Sequence, residues 1–211
     1  SFAPSTPAAL CPIAGVPVVE RAATRLARAG ADEVLVVSDD DRVGSWVEEA
    51  DASVDEVARE PGAIQRFTGD YDRVVVVDGA RLVSTEALQT AAAAVPSIEA
   101  MAPDGGSGPA PSAFAAPAPA LRGVETDDDV AAVGRSVPER ARVAPASVRD
   151  VRRPWELLAA TESVLADDQR SLDGDVHPDA EGAGAVVVED GAEVDAGVVV
   201  EGPAYISRGS T

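Results

Sequence analysis

The side chains in this sequence that could do chemistry are almost all carboxylates and guanidinium groups. His177 is the sole histidine and Cys11 the sole cysteine. A histidine can serve as a base toward an acceptor amine. Yet His177 stands in Val176-His177-Pro178, where an exposed corner residue is the plainer expectation. Asp39-Asp40-Asp41 follows an apolar run, and open α/β sheets bind ligands beyond their strand ends; a solvated acidic loop is the competing expectation. Asp127-Asp128-Asp129 fits a helix N-terminus, where carboxylates face the positive end of the helix dipole. Arg21, Arg25 and Arg28 share one helix face and could pair with carboxylates or hold a phosphate. Cys11 is expected to pack as a small apolar group, and one cysteine excludes an intrachain disulfide.

Elements must hold these groups in place. Val18, Val19, Ala22, Leu26 and Ala27 make an apolar stripe, so a helix is expected over 16–29, with Pro17 near its first turn and Gly30 at its end. Val34 to Val37 and Val74 to Val77 are continuous apolar runs, as in buried parallel strands. Between them the pattern predicts a helix near Val43 to Ala50, a strand near Val54 to Val57 and a short helix after Pro61. Ser84 is placed to cap a helix reaching about Ala94, with Glu86 in its first turn. Ile98 to Met101 reads as a further strand, and Ala102 to Ala120, rich in Pro, Gly, Ala and Ser, as a loop. Structure resumes at Val130 to Val133 and Arg142 to Val148. A helix then runs from Pro154 to about Leu165, with Trp155, Leu158 and Val164 in its apolar face. Alternating strands and helices argue for an open α/β sheet.

The last part of the chain has another period. Val176, Val188, Val194, Val200 and Ile206 lie on a six-residue grid broken only at Gly182. Four residues after each slot stands a small or β-branched side chain: Ala180, Val186, Ala192, Val198, Ala204 and Ser210. This is the hexapeptide pattern of a parallel β-helix, in which three hexads make one triangular coil. Hairpins of valine-rich sequence would show period two without the six-residue lock. Residues 1–165 are therefore expected to form an α/β domain, 166–175 a polar linker and 176–211 about two coils. An uncapped end at Thr211 and a start at Ser1 suggest part of a longer protein, or a decayed copy of one.

Composition narrows the partners. Apolar residues make up 45% and aromatics 3%, so the core must rest on Val, Ala and Leu. The net charge is −20, and all 17 basic residues are Arg. Such acidity without lysine resembles the proteins of salt-loving archaea, the alternative being an acidic protein of a GC-rich bacterium. No basic stripe is present to displace counterions, which argues against nucleic acid. No apolar run approaches the ~20 residues of a membrane span, and no signal peptide is visible. A cytoplasmic protein is the expectation.

Three segments resemble the sugar-1-phosphate nucleotidylyltransferases. Phe2-Ala3-Pro4, followed by Leu10-Cys11-Pro12-Ile13-Ala14-Gly15-Val16-Pro17, is similar to that family's Pro-Lys-Pro-Leu-Leu-Pro-Val-Ala-Gly-x-Pro segment. Val74 to Val83 is similar to its strand ending in Asn-Gly-Asp. Asp150-Val151-Arg152-Arg153-Pro154-Trp155-Glu156-Leu157-Leu158 is similar to its Asp-x-Gly-Thr-Pro-Trp-Asp-Leu-Leu segment. Hexads directly afterwards match the domain succession of the bifunctional N-acetylglucosamine-1-phosphate uridylyltransferases and the archaeal glucose-1-phosphate thymidylyltransferases. The resemblance implies a Rossmann-like nucleotidyltransferase domain of GT-A type, followed by a left-handed β-helix that commonly trimerises. It implies a nucleoside triphosphate and a sugar phosphate as substrates and Mg²⁺ as cofactor. A phosphate oxygen attacks the α-phosphate and pyrophosphate leaves, helped by positioning and charge neutralisation. Pro12, Gly15 and Gly79 fall at substrate-binding positions, Asp78 and Asp150 at catalytic ones, and Asp150 at a metal ligand.

Departures from the pattern fall on the chemistry. The family's first strand and Gly-rich loop would precede Ser1. Ala8 stands at the signature lysine and Ala80 at the metal-binding aspartate, with Asp78 two residues earlier. Asp150 could equally cap the helix at Pro154. The Glu-Lys-Pro strand that contacts the sugar has no counterpart, and Pro111-Ser112-Ala113-Phe114 is only faintly similar to the Ala-Gly-x-Tyr strand that follows it. The expectation is a nucleotidyltransferase relative with eroded catalysis. The alternatives are a non-catalytic scaffold or regulatory subunit that oligomerises through its β-helix, and an acyltransferase if further coils follow.

Overall fold

The computed structural model describes residues 6–49, 54, 56–58, 62–102, 108–167 and 171–211. The chain divides into two compact units, one of residues 1–11 and 17–152, the other of residues 12–16 and 153–211.

The turn Ala14–Gly15, flanked by β1 (Pro12–Ile13) and β2 (Val16–Pro17), leads into α1 (Val18–Arg28), whose Val18, Val19 and Ala23 are buried. Next come β3 (Leu35–Val37), α2 (Asp41–Glu49), β4 (Glu56–Ala58) and α3 (Gly62–Phe67). Strand β3 pairs with β4 in parallel, Val36 opposite Val57. These elements follow the expected order, but Ala27 of the expected α1 stripe is exposed while Ala23 is buried, and Ala50 and Asp55 lie outside the described residues.

The centre of the larger unit is an antiparallel pair. Strand β5 (Arg73–Val77) runs against β7 (Ala113–Pro117), with Val77 opposite Ala113 and Arg73 opposite Pro117. Side chains alternate across the two faces. Ala113 and Ala115 join Val75 and Val77 on one side, packed with Leu26 of α1 and Leu88 and Ala91 of α4 (Thr85–Ala93). Phe114 and Ala116 join Val76 on the other, packed with Val130 and Val133 of α5 (Asp127–Ser136). All five residues of β7 are buried. Small alanines let helices approach both faces, and Gly134 of α5 sits so close to Phe114 that an added Cβ would lie 2.8 Å from its ring.

Three expectations are corrected here. Residues 113–117 are a central strand rather than loop, because burial on both faces overrides the low strand propensity of alanine. Residues 103–107 of that supposed loop lie outside the described residues. The Val74–Val77 run pairs antiparallel, not parallel, since its partner is β7, of which only the faint likeness of residues 111–114 to a strand gave a sign. Ile98–Ala100 is a single 3₁₀ turn, not a strand, with Ile98 51% exposed. The sheets are small and mixed, with β6 (Arg81–Val83) antiparallel to β8 (Val148–Asp150). Helix caps follow the sequence. Ser84 accepts from the Ala87 N–H at 3.3 Å, and Thr126 with Asp129 closes a capping box that puts Asp127, Asp128 and Asp129 in the first turn of α5.

In the second unit, α6 (Pro154–Asp167) buries Leu157, Ala160, Val164 and Leu165. Trp155 and Leu158 are 68% and 72% exposed, so the apolar face read from the sequence included two residues that stay in solvent. Among the described residues seven short strands follow: β9 (Ser171–Leu172), β10 (Asp175–Val176), β11 (Glu181–Ala183), β12 (Val186–Val188), β13 (Glu193–Val194), β14 (Val199–Glu201) and β15 (Ala204–Ile206). Three parallel pairings share one offset of eighteen residues: Val176 opposite Val194, Gly182 opposite Val200 and Val188 opposite Ile206. Parallel pairing starts earlier than the expected linker allows, because Leu172 stands opposite Val188. Val186, Val188, Ala192 and Val194 are buried together, with Val176, Ala180, Val200 and Ile206 packed on them. The five grid residues thus share one apolar cluster with the companions Ala180, Val186 and Ala192, and Ala204 and Ser210 are not part of it. Val198 departs, being 38% exposed.

Backbones approach closely in this unit. A Cβ added at Gly202 would lie 2.4 Å from the Ala185 carbonyl oxygen. Because the obstacle is main chain, Gly202→Ala should shift the β12–β15 ladder and cost about 1–3 kcal/mol. Urea denaturation followed by circular dichroism measures this; an unchanged midpoint would refute it.

Candidate functional site

Two aspartates picked from the sequence meet at one place in the larger unit. Asp78 directly follows β5 and starts the turn into β6. Its Oδ1 accepts from the Ala80 N–H at 3.0 Å, and its carbonyl accepts from the Arg81 N–H at 2.9 Å. Asp150 ends β8, where antiparallel register sets it opposite Arg81. The Val151 N–H donates to the Ala80 carbonyl at 3.1 Å, which extends the same ladder beyond both strands. A turn and a strand end, 72 positions apart in sequence, therefore deliver both carboxylates to one site.

Two arginines bind both acids. Arg81 lies 3.2 Å from Asp78 Oδ2 through Nε and 2.7 Å from Asp150 Oδ2 through Nη1. Arg152 Nη2 donates to Asp78 Oδ2 at 3.2 Å and to Asp150 Oδ2 at 3.4 Å. Arg152 also donates to Asp150 Oδ1 from Nε at 3.0 Å and from its backbone N–H at 3.1 Å. Asp150 is buried and Asp78 partly so. Burial alone pushes the Asp150 carboxyl up. Hydrogen bonds from the Arg152 side chain and backbone, with the charges of Arg152 and Arg81, outweigh it and hold the group below the usual carboxylate range. The Asp150 hydrogen bond in turn raises Arg152, against its own desolvation and with help from Asp78.

These residues do not fit a bound Mg²⁺ in the arrangement they adopt. That ion takes oxygen ligands at about 2.0–2.1 Å in near-octahedral geometry. Here each of the four carboxylate oxygens already accepts from at least one N–H group. Two carboxylates and two guanidinium groups also sum to no formal charge.

The other positions are placed as follows. Gly79 is exposed in the turn after Asp78, with nothing closer than 3.9 Å to an added Cβ. Pro12 and Gly15 belong to the other unit. Pro12 is exposed in β1, and Gly15 turns at φ 74° beside Tyr205 and Glu189, which hydrogen-bond to each other. Ala8 is half-buried in a 3₁₀ turn, and Ala80 is buried. His177 is exposed, and its Nδ1 accepts from the Asp179 N–H at 3.1 Å. Asp40 pairs with Arg42 at 2.6 Å on the surface. Arg25 donates to the Val83 carbonyl at 3.0 Å, a packing role. Cys11 is half-buried, which raises its thiol pKa by desolvation.

Sequence reading missed Arg81 and Arg152. A signal was there: Arg152 stands where the third signature has glycine, two residues after Asp150, and Arg81 follows Asp78 by three.

Compared with known proteins, the chain matches no family model and no curated sequence. Among the described residues, no helix is long and apolar enough to cross a membrane.

Proposed function

We propose that this chain is a relative of the sugar-1-phosphate nucleotidyltransferases of nucleotide-sugar synthesis that has lost catalysis. It combines a Rossmann-like nucleotidyltransferase domain with the start of a left-handed β-helix. One observation carries the reading: Asp78 and Asp150, chosen separately from two sequence signatures, share one site. The eighteen-residue parallel offset, with the grid valines inside, supports the β-helix that the resemblance implies. Loss of catalysis rests on Ala8 and Ala80 at the positions of the lysine and the metal-binding aspartate. Without those charges, little would stabilise a transferring phosphoryl group. A cytoplasmic location and trimer formation through the β-helix belong to the same proposal.

The test is pyrophosphate release from nucleoside triphosphates with a panel of sugar phosphates, in molar KCl with Mg²⁺. No turnover above the uncatalysed background is expected, and brisk Mg²⁺-dependent turnover would overturn the reading. Neutralised carboxylates also suit a second reading, a non-catalytic subunit serving an active, lysine-containing partner. Copurification with such a partner would favour it.

A further inference from the structure

We infer that Arg152, together with Arg81, takes the place of a divalent cation between Asp78 and Asp150, leaving a site that is neutral without metal. This rests on the reading above for the expectation that a cation belongs there; the geometry stands apart from it. One nitrogen, Arg152 Nη2, lies 3.2 Å from Asp78 Oδ2 and 3.4 Å from Asp150 Oδ2. It therefore bridges the two acids from a single point, as a shared cation would. Arg81 bridges the same two oxygens from β6. A metal entering this quartet would have to strip N–H donors from oxygens that already have them, and it would find no excess negative charge to hold it.

The arrangement is local in origin. Arg152 returns to Asp150 through both its backbone N–H and its Nε, so an Asp-x-Arg sequence is enough to place the guanidinium. Its side chain is 49% exposed, so truncation removes charge without opening a core cavity. Arg152→Ala leaves two carboxylates against one guanidinium, and the two Oδ2 atoms each lose a donor.

The experiment is Mn²⁺ binding, read by the electron paramagnetic resonance of the free ion in molar KCl. The native chain should bind no Mn²⁺ in an Asp150-dependent way. Arg152→Ala should bind one Mn²⁺ about tenfold or more tightly than the native chain's nonspecific, Asp150-independent binding, since a positive group beside the site is gone. That gain should vanish when Asp150→Asn is added. If Arg152→Ala fails to fold, Arg152→Gln, of similar length and uncharged, carries the same expectation. Asp150-dependent Mn²⁺ binding by the native chain, or no gain in a folded variant, overturns the inference. Failure here leaves the turnover test standing, and turnover by the native chain would refute lost catalysis whatever Mn²⁺ does.

Discussion

In dilute buffer the protein should lose its cooperative fold, and molar KCl should restore it. A net charge of −20 repels itself in any compact state. At ~0.01 M salt the Debye length is roughly 30 Å, longer than the radius of a domain this size, so all the charges act on one another. Near 1 M it is roughly 3 Å, and only touching groups do. Screening should therefore raise the stability, and each kcal/mol it contributes moves the melting point of a chain this long by about 2–4 °C. Repulsion concentrates in residues 171–211, which hold nine carboxylates and one arginine. There Asp173, Asp175, Asp190 and Glu193 line a hollow of about 500 Å³, and Arg208 reaches Asp190 at 3.7 Å. On lowering the salt, the signal of these strands should fade before that of the helical unit. Circular dichroism melts across a KCl series measure the effect, and a midpoint unchanged from dilute to saturated KCl would refute it.

What the sequence made legible depended on how far a signal reached along the chain. The stripe of α1 and the grid from Val176 to Ile206 are local repeats of side-chain volume; the grid residues pack together, whereas α1 buries Val18, Val19 and Ala23, the last outside the expected stripe, and leaves Ala27 exposed. Strand β7 was hidden because its alanines mark no strand until two helix-covered faces enclose them. Trp155 and Leu158 fit the helical stripe of α6, yet a stripe wider than the surface it covers leaves its margin exposed. At the site, resemblance pointed to the two aspartates but not to what joins them. Cross-strand register decides that Arg81 faces Asp150, and register is fixed by pairing partners rather than by either strand alone.

The second large effect should come from Asp150→Ala. Its side chain is 10% exposed and binds Arg81 and Arg152 at once. Removing it leaves two guanidinium groups sharing the single carboxylate of Asp78, one of them largely buried on β6, at a cost of about 3 kcal/mol. Asp150→Asn keeps an acceptor and should cost less. The pH dependence has a definite sign. The folded carboxyl lies below its usual value, because the Arg152 hydrogen bonds and both arginine charges outweigh the burial that would raise it. Its stabilisation is therefore fully present above the ordinary aspartate pKa of about 3.9, and fades as pH falls through the lower, folded value. In urea titrations the gap between native chain and Asp150→Ala should be wide at neutral pH and narrow in acid. Arg42→Ala is the control, since it keeps Asp40, which also accepts from the Arg42 N–H at the start of α2. The Asp40–Arg42 contact, at 2.6 Å, is shorter than any in the quartet, but its Arg42 side chain is exposed and the pair joins one acid to one arginine, whereas Asp150, 10% exposed, lies between two arginines. If desolvation and shared partners decide the strength of an ion pair, rather than separation, the control should hardly move the midpoint. Equal losses in the two variants would mean that the quartet stabilises no more than an ordinary surface pair.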